Sequence, residues 1–297
     1  MPGNTWIVFA LLSGFLMAVV NLLDKLVLDR WSRHPAVPVL LLGIISTVPA
    51  GLILLLNGVP RLPPRLWILV LAAGAALLGF AAFYFRAAAV EEISRVVPLQ
   101  YLGPLFVSGL AALFLEEVFP PRRYLGVALM IVGAVLVSSR FPLRLRPGRA
   151  FWLMILSAIS LSIQLVITKH LLSFADYWSV FALIRLAMAV AMLPLLIQHF
   201  RDLTASLREH GTKVIWVMVG DQHIALAGAL FLTIAAASGP ITLVNALAAV
   251  QPFFVLVFSL LLSRARPLLF REETGRAVVL MNLAAVTLMF LGVLLIT

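Results

Sequence analysis

The chain has 297 residues, of which 63% are hydrophobic and 11% are charged, with a mean hydropathy of +1.11 and a net charge of +10. Soluble domains average about 45–50% apolar and about 25% charged residues, so this composition excludes a soluble globular enzyme. Most of the 22 Lys and Arg residues lie at the ends of apolar runs. There they meet lipid headgroups, and no nucleic-acid partner is expected. The absence of cysteine excludes thiol catalysis, disulfides and thiolate metal sites.

Ten apolar runs are long enough to cross a bilayer, since a spanning helix needs about 20 residues. In chain order they cover residues 6–28, 37–57, 66–88, 93–115, 122–139, 151–172, 177–199, 213–237, 241–263 and 276–296. Backbone groups in the hydrocarbon layer must be satisfied internally, so spans this apolar are expected to be helices. The longest hydrophilic segment, Arg201–Lys213, is predicted to be a loop. The sequence therefore predicts an all-α integral membrane protein with ten transmembrane helices.

The sequence also contains an internal repeat of about half its length. The segment Ala87–Val107 aligns with Ala235–Val255, which begins 148 residues later. Within these segments Pro104 matches Pro252, and two further matches keep their order, Lys25 with Lys169 and Pro49 with Pro194. Each half holds five predicted spans, and an odd number makes the two halves cross the membrane in opposite senses. We therefore predict two inverted five-helix repeats, residues 1–143 and 144–297.

The segment Phe83–Ser138 has four marks in a fixed order: an Ala-rich helix end, a proline in the next helix, a glutamate at the end of that helix, and glycines in the fifth helix. The last three marks are Pro104, Glu117, and Gly126 with Gly133. In these features the chain resembles the EamA domains of the drug/metabolite transporter superfamily, as two copies. The second copy departs from the pattern, with Arg264-Ala265 where the first has Glu116-Glu117. The resemblance implies a secondary transporter of small organic molecules and does not name the molecule.

The distribution of Lys and Arg predicts the orientation in the membrane. The loops after helices 1, 3, 5, 7 and 9, with their helix ends, carry about 16 of these residues, and the opposite loops carry about five. The positive-inside rule then places the first set in the cytoplasm and both termini outside. The family resemblance implies cytoplasmic termini instead. In either orientation the expected location is the cytoplasmic (inner) membrane.

Ionisable side chains at membrane depth are costly, so each one is a candidate for a substrate pathway or a pair. Arg185 lies about eight residues into the seventh predicted span, and Asp221 and His223 lie at similar positions in the eighth. Arg185 is a candidate for binding an anionic substrate group, with Asp221 or His223 as a proton-coupling site. The alternative is an Arg185–Asp221 contact that only holds two helices together.

Four further charged residues are candidates for a gate: Asp24, Lys25, Arg86 and Lys169. The first three lie near one membrane face, together with Glu91, Glu92 and Arg95. Lys169 matches Lys25 in the repeat, and the inversion places it at the opposite face. The alternative is that these side chains extend to the membrane surface and form ion pairs of small energy.

Neutral polar residues complete the candidate site. The predicted substrate-binding set, with Arg185, comprises Tyr84, Gln100, Tyr101, Gln164, Asn245 and Gln251. Pro98, Pro104 and Pro252 are predicted hinges, because proline in a spanning helix frees a backbone acceptor and permits bending. For each single residue, an interhelical hydrogen bond is the alternative. The cluster near Tyr101 and Gln251 is favoured, because it lies in the most similar segments of the repeat, where inverted-repeat transporters bind substrate.

The sequence contains no phosphate-binding glycine loop, metal-binding histidine motif or nucleophile elbow, so neither an enzyme nor a cofactor is expected. The predicted function is secondary transport of small organic metabolites by alternating access, with amino-acid-like, anionic or amphipathic solutes as substrates. The expected partners are this substrate, protons or an exchanged solute, and membrane lipids, around a monomer or homodimer. The alternatives are a flippase for a lipid-linked headgroup and a non-transporting membrane scaffold.

Overall fold

The computed structural model describes the backbone of residues 5–31, 35–91, 99–138, 148–265 and 276–296. It describes the side chains of these residues except those of 24–31, 137–138, 210–215, 259–260, 262–265 and 276–279. All regular structure in this part of the chain is helical. In chain order the helices are α1 (Thr5–Trp31), α2 (Ala36–Asn57), α3 (Pro64–Ala88), α4 (Gly103–Phe114), α5 (Pro121–Ser138), α6 (Arg149–Leu171), α7 (Tyr177–Ser238), α8 (Ile241–Ala248), α9 (Gln251–Ala265) and α10 (Arg276–Ile296).

Several of these helices are suited to a membrane interior. Seven segments of the described chain are long and apolar enough to cross a bilayer: Thr5–Leu23, Ala36–Asn57, Pro64–Ala88, Arg149–Leu171, Tyr177–Glu209, Trp216–Ser238 and Ile241–Phe258. Two shorter apolar segments, Gly103–Phe114 and Leu280–Ile296, accompany them. The chain is therefore a multi-pass helical membrane protein, as its composition predicts.

The predicted loop Arg201–Lys213 is wrong, because helical backbone continues through it within α7. A straight helix of 62 residues would be about 93 Å long, far more than one membrane crossing. However, Met192 and Met218 pack in the same apolar cluster against α2. The chain therefore reverses direction between them, and we call the two parts α7a (Tyr177–Glu209) and α7b (Trp216–Ser238).

The predicted span 241–263 is interrupted rather than continuous. A turn at Ala249 and Val250 separates α8 from α9. A turn at Tyr101 and Leu102 likewise precedes α4. Pro104 and Pro252 lie in the first turns of α4 and α9, where the missing N–H of proline removes no helical hydrogen bond. Both prolines thus begin helices after a break, whereas the sequence predicted them as hinges inside continuous helices.

Helices from the beginning of the chain pack mainly against helices from its end. Helix α1 packs on α7b, α2 on α7a, α3 on α6, α4 on α6 and α8, and α5 on α10. Some of these contacts bring two backbones together. At Gly74, an added Cβ atom would lie 2.5 Å from backbone and Cβ atoms of Ala187. The interior of the bundle is therefore made jointly by both ends of the sequence.

Candidate functional site

A cavity of about 270 Å³ lies among helices from both ends of the chain. Side chains from α1, α3, α4, α6, α7a, α7b and α8 line it, together with Gln251 at the start of α9. Phe80, Phe85, Leu161 and Phe181 supply part of its apolar wall. A concave, largely apolar chamber with a few polar groups is typical of a small-molecule site.

All seven predicted substrate-binding residues line this cavity: Tyr84, Gln100, Tyr101, Gln164, Arg185, Asn245 and Gln251. Polar side chains at Ser13, Asn21, Ser162, Gln222 and Thr233 also reach it. The cavity thus collects the polar groups that the sequence distributes over many helices. Their role in binding a substrate stays a prediction.

Arg185 is the one charged residue among the described residues that line the cavity. Its side chain is 9% exposed, and its guanidinium carbon lies 5.2 Å from the centre of the Phe181 ring, within the range of a cation–π contact. No ion pair or hydrogen bond joins Arg185 to Asp221 in the described part of the chain. The helix-holding contact between them is therefore not found. Arg185 instead directs five N–H donors to a chamber without a described acid.

Two glutamines have their amide nitrogens engaged by the protein. The Gln164 side chain donates to the Thr168 hydroxyl at 2.7 Å. The Gln251 side chain donates to the backbone carbonyl of Met17 at 3.1 Å, which fixes the start of α9 against α1. An amide whose N–H groups are used still offers its carbonyl oxygen as an acceptor. These two residues therefore suit N–H or O–H groups of a bound molecule.

The two tyrosines form aromatic parts of the wall. Tyr84 is buried and stacks on Phe80 with ring centres 6.3 Å apart, and Phe85 meets its edge at 5.1 Å. Tyr101 is also buried and lies in the turn before α4. Aromatic rings fixed in this way give a bound molecule rigid apolar surface beside a hydroxyl group.

Helix breaks border the cavity at two places. Gln100, Tyr101 and Pro104 line it around one break, and Ala249 and Gln251 around the other. Discontinuous helices in corresponding positions are a common feature of transporter binding sites, because they bring backbone polar groups to the cavity. The third predicted hinge, Pro98, lies outside the described residues.

The coupling candidates Asp221 and His223 lie in different environments. Asp221 is 3% exposed, and its Oδ1 has no hydrogen-bond partner. The neighbouring Gln222 donates to Asp221 Oδ2 at 3.5 Å, and Gln222 Oε1 is likewise buried without a partner. His223 is exposed, and its Nδ1 lies 2.7 Å from the Val219 carbonyl oxygen. Neither Asp221 nor His223 lines the cavity, which Gln222 reaches between them.

The gating candidates that the structure describes also lie in different environments. Arg86 is exposed at the end of α3. The side chains of Asp24 and Lys25 lie outside the described ones. Lys169 is half-buried and donates from Nζ to the backbone carbonyls of Ala236 at 2.8 Å and Gly239 at 2.9 Å. All four roles stay predictions.

Glu117 makes the contacts that the sequence analysis missed. Its carboxylate accepts hydrogen bonds from the backbone N–H groups of Ile241 at 2.9 Å and Thr242 at 3.2 Å, and from the Thr242 hydroxyl at 3.1 Å. These are the first residues of α8, so Glu117 caps a helix far from it in sequence. The only sequence signal was its place in the segment that carries the family resemblance.

Three similarities to known proteins accord with this arrangement. The EamA-like transporter family matches residues 4–139. An "Uncharacterized transporter in cobO 3'region" of Sinorhizobium sp is 33% identical over 78 residues, which are 26% of this chain and 55% of that protein. The match thus spans about half the length of that relative. A protein of known crystal structure is 19% identical and has a TM-score of 0.75, with 99% of this chain and 98% of that chain covered.

The crystal structure shares the fold with this chain and, at that identity, shows no more than the fold. Both sequence matches are to proteins described as transporters. Residues 4–139, somewhat less than half of the chain, are similar to the EamA-like transporter family.

Proposed function

We propose that the chain is a secondary transporter that moves small organic metabolites across the cytoplasmic membrane by alternating access around this cavity. The observation that carries the proposal is Arg185, a buried cation with no described acid to pair with it, directed to a chamber between helices. A buried charge without a partner is costly, so a site that keeps one has a use for it. An anionic group on the substrate supplies the missing partner.

We infer two inverted five-helix halves, residues 1–143 and 144–297, as the moving units. Three features support this inference. The turns before α4 and α9 fall 148 residues apart, which is also the offset of the sequence repeat. The packing of α1 on α7b is mirrored by that of α6 on α3. The cavity lies where these sets of helices meet, which is where inverted-repeat transporters bind substrate.

The substrate class follows from the lining. Arg185 suits a carboxylate or phosphate group, and the free carbonyl oxygens of Gln164 and Gln251 suit N–H or O–H donors. Tyr84 and Tyr101 provide apolar surface. We therefore propose an amino-acid-like or other anionic, partly apolar metabolite. A membrane-embedded chamber with these groups needs no cofactor.

We propose Asp221 as the proton-coupling residue rather than His223. A proton on the buried Asp221 carboxyl gives it a hydrogen-bond donor, and the unpartnered Gln222 amide oxygen beside it is an acceptor. Gln222 also reaches the cavity, which connects this pair to the substrate. His223 is exposed on another side of α7b and has no such connection.

Uptake of labelled solutes into proteoliposomes tests the function. A panel of amino acids, organic acids and sugar phosphates is offered with and without a pH gradient. We expect flux of an anionic solute, loss of at least about tenfold in Arg185→Gln, and normal flux in Arg201→Gln, which changes an exposed arginine of the same helix. We also expect Asp221→Asn to abolish the effect of the pH gradient, while Asp202→Asn keeps it.

The other outcomes have distinct meanings. Movement of a fluorescent lipid without flux of any water-soluble compound supports a flippase for a lipid-linked headgroup. A folded protein that moves neither supports a non-transporting scaffold. Equal flux in the wild type and Arg185→Gln excludes the anion-binding role of Arg185.

A further inference from the structure

One end of the cavity is closed beside a break between two helices. Helix α7 ends at Ser238, Gly239 and Pro240 are extended, and α8 begins at Ile241. Helix ends leave backbone carbonyl and N–H groups without intrahelical partners. Pro240 makes no side-chain hydrogen bond as the N-terminal cap of α8. The break therefore depends on distant residues for its hydrogen bonds.

Two oppositely charged side chains supply these bonds. Lys169, on α6, donates to the carbonyls of Ala236 and Gly239, at the negative end of α7b. Glu117, which follows α4, accepts from the N–H groups of Ile241 and Thr242 at the positive end of α8. The two side chains thus bind opposite ends of the break.

An apolar layer separates these charges from the cavity. The layer is a cluster of Val107, Ala111, Leu165, Val166, Ala236 and Ile241. Two parts of the chain run through cavity, layer and charge in the same order. Helix α4 has Pro104 at the cavity and Val107 in the layer and leads to Glu117, and α6 has Ser162 at the cavity, Val166 in the layer and then Lys169. This end of the cavity is thus closed twice, first by the apolar layer and then by the hydrogen bonds of the two charged side chains.

The source of the hydrogen bonds distinguishes this break from an ordinary turn. At the start of α7, the local Asp176 caps the helix by accepting from the N–H groups of Trp178 and Ser179. That cap moves with its own helix. Lys169 lies on another helix than the one it caps, and Glu117 lies in the segment after α4, so their bonds break whenever these parts of the chain separate. Water entering an opened cavity can then solvate the released backbone groups.

We propose that Glu117 and Lys169 form a latch that holds this end of the cavity closed and that releases the break at Gly239 and Pro240 when the transporter opens on this face. The proposal rests on the transport function proposed above. In this latch, Glu117 and Lys169 are positioning residues, since they hold α8 and the end of α7b in place. Their release also frees α8, which carries the cavity residue Asn245.

Thiol labelling tests the latch without knowledge of the substrate, because the chain has no native cysteine. Ala229→Cys places a reporter in the cavity wall. Ser173→Cys, at an exposed position after α6, identifies the vesicle orientation that presents the latch face to the medium. A membrane-impermeant maleimide is added to right-side-out and to inside-out vesicles. Labelling of the Ser173→Cys chain also reports which face is cytoplasmic.

We expect slow labelling of Ala229→Cys from the latch face when Glu117 and Lys169 are intact. Adding Glu117→Ala or Lys169→Met is expected to raise this rate by about tenfold. Each change removes charged hydrogen bonds from the closed state and none from the open state, so the open state becomes more populated. Lys169→Arg, which keeps the charge and donors, restores slow labelling. Glu116→Gln is the matched control, since it alters the exposed neighbouring carboxylate and leaves the rate unchanged.

Unchanged labelling from the latch face in both Glu117→Ala and Lys169→Met overturns the proposal. Size-exclusion chromatography identifies variants that do not fold. If Glu117→Ala does not fold, the labelling rates of Glu117→Gln and Lys169→Met test the latch instead. If Lys169→Met does not fold, those of Glu117→Ala and Glu117→Gln do. If the chain moves no solute, the flux assay fails while the labelling pattern is kept. The failure of the transport function is therefore distinguishable from the failure of the latch.

Discussion

Glu117 and Thr242 are joined by two hydrogen bonds of 3.2 and 3.1 Å, although 125 residues separate them in the sequence. One bond comes from the backbone N–H of Thr242 and the other from its hydroxyl, and both end on the same carboxylate oxygen of Glu117. Since Thr242 is fully buried, water does not reach its two donors to compete for these bonds. A helix end in one part of the chain is thus fixed by an acid from the other.

Thr242→Val removes the hydroxyl donor at nearly constant volume and leaves the backbone bond. We expect the free energy of unfolding to fall by about 1 kcal/mol, the usual net contribution of such a bond. In a Glu117→Ala background the same change costs less, because its acceptor is already gone. Thermal unfolding of the four proteins in detergent completes this double-mutant cycle. Strictly additive costs would contradict the coupling.

Arg185→Lys keeps the positive charge in the cavity but loses the planar fork of N–H donors. Lysine also lacks the flat group that lies over the Phe181 ring. We expect the KM for an anionic solute to rise by about tenfold with a smaller change in kcat. Initial uptake rates over a range of solute concentrations measure both. Arg201→Lys is the control, and an unaltered KM in Arg185→Lys and Arg185→Gln alike would speak against an anion at this residue.

Tyr101→Ala and Gln251→Ala test the neutral part of the cavity. Each removes a polar lining group beside one helix break. We expect each to lower kcat/KM by about tenfold, because positioning groups act through geometry. Gln198→Ala, at an exposed position of α7a, serves as the control. If both cavity variants transport at the wild-type rate, these residues do not belong to the site.

Gly74→Ala tests the close packing of α3 on α7a. The added Cβ atom would lie 2.5 Å from Ala187 and from the backbone nitrogen of Met188, so the helices must move apart. Overpacking of this kind costs about 1–3 kcal/mol. Gly51→Ala, where nothing lies within 4 Å, is expected to leave stability equal or higher. The melting temperatures of the two variants are the measurement, and equal values would show that the contact yields easily.

Asp176 gives the chain a pH-dependent helix cap. Its partial burial would raise the pKa of the carboxyl, but the hydrogen bonds from the Ser179 hydroxyl and from the N–H groups of Ser179 and Trp178 outweigh it and hold the pKa below its ordinary value. A lowered folded-state pKa means that the stabilisation is present above the ordinary value of 3.8 and is lost as the pH falls through the folded pKa.

The matching variant is Asp176→Asn, which keeps a side-chain acceptor and loses the charge. We expect wild type to be more stable than Asp176→Asn at pH 7 by a few tenths to about 1 kcal/mol. The difference shrinks as the pH falls below 3.8 and disappears below the lowered pKa of the folded state, where the carboxyl is neutral. Melting curves of both proteins at several pH values test this, and a difference that grows towards acid pH would reverse the assigned sign.

The cavity residues could be predicted from the sequence because polar side chains are rare in the apolar runs. The cost of exposing Gln164, Arg185 or Asn245 to lipid directs such residues to the interior, and all three line the cavity. Helix geometry explains why Asp221 and His223 lie in different environments. Two residues along a helix are turned by about 200°, so when Asp221 is buried His223 faces away.

Other features depend on contacts between distant segments, which a single sequence does not encode. The pairing of Glu117 with Thr242 requires knowledge of which helix ends meet. The turn at Ala249 and Val250 contains neither glycine nor proline, and the following Pro252 fits a hinge inside one helix as well as the start of a new one. The helical segment after Phe200 is different, because Leu203 and Leu207 are four residues apart and both pack towards α2. A spacing of four residues between apolar side chains indicates a helix, but the many polar residues of this segment favoured the prediction of a loop.

The packing of α1 on α7b and of α2 on α7a has a consequence for how the protein is made. Helices α1 and α2 leave the ribosome before α7, on which they pack, and α5 has no α10 to pack on until that helix is made. Until then, the small-residue surface around Gly126 and Gly133 faces lipid or other proteins of the membrane. Insertion and assembly are thus separate events in time for these helices, and a chain interrupted before α7 has inserted α1, α2 and α5 without the helices on which they pack.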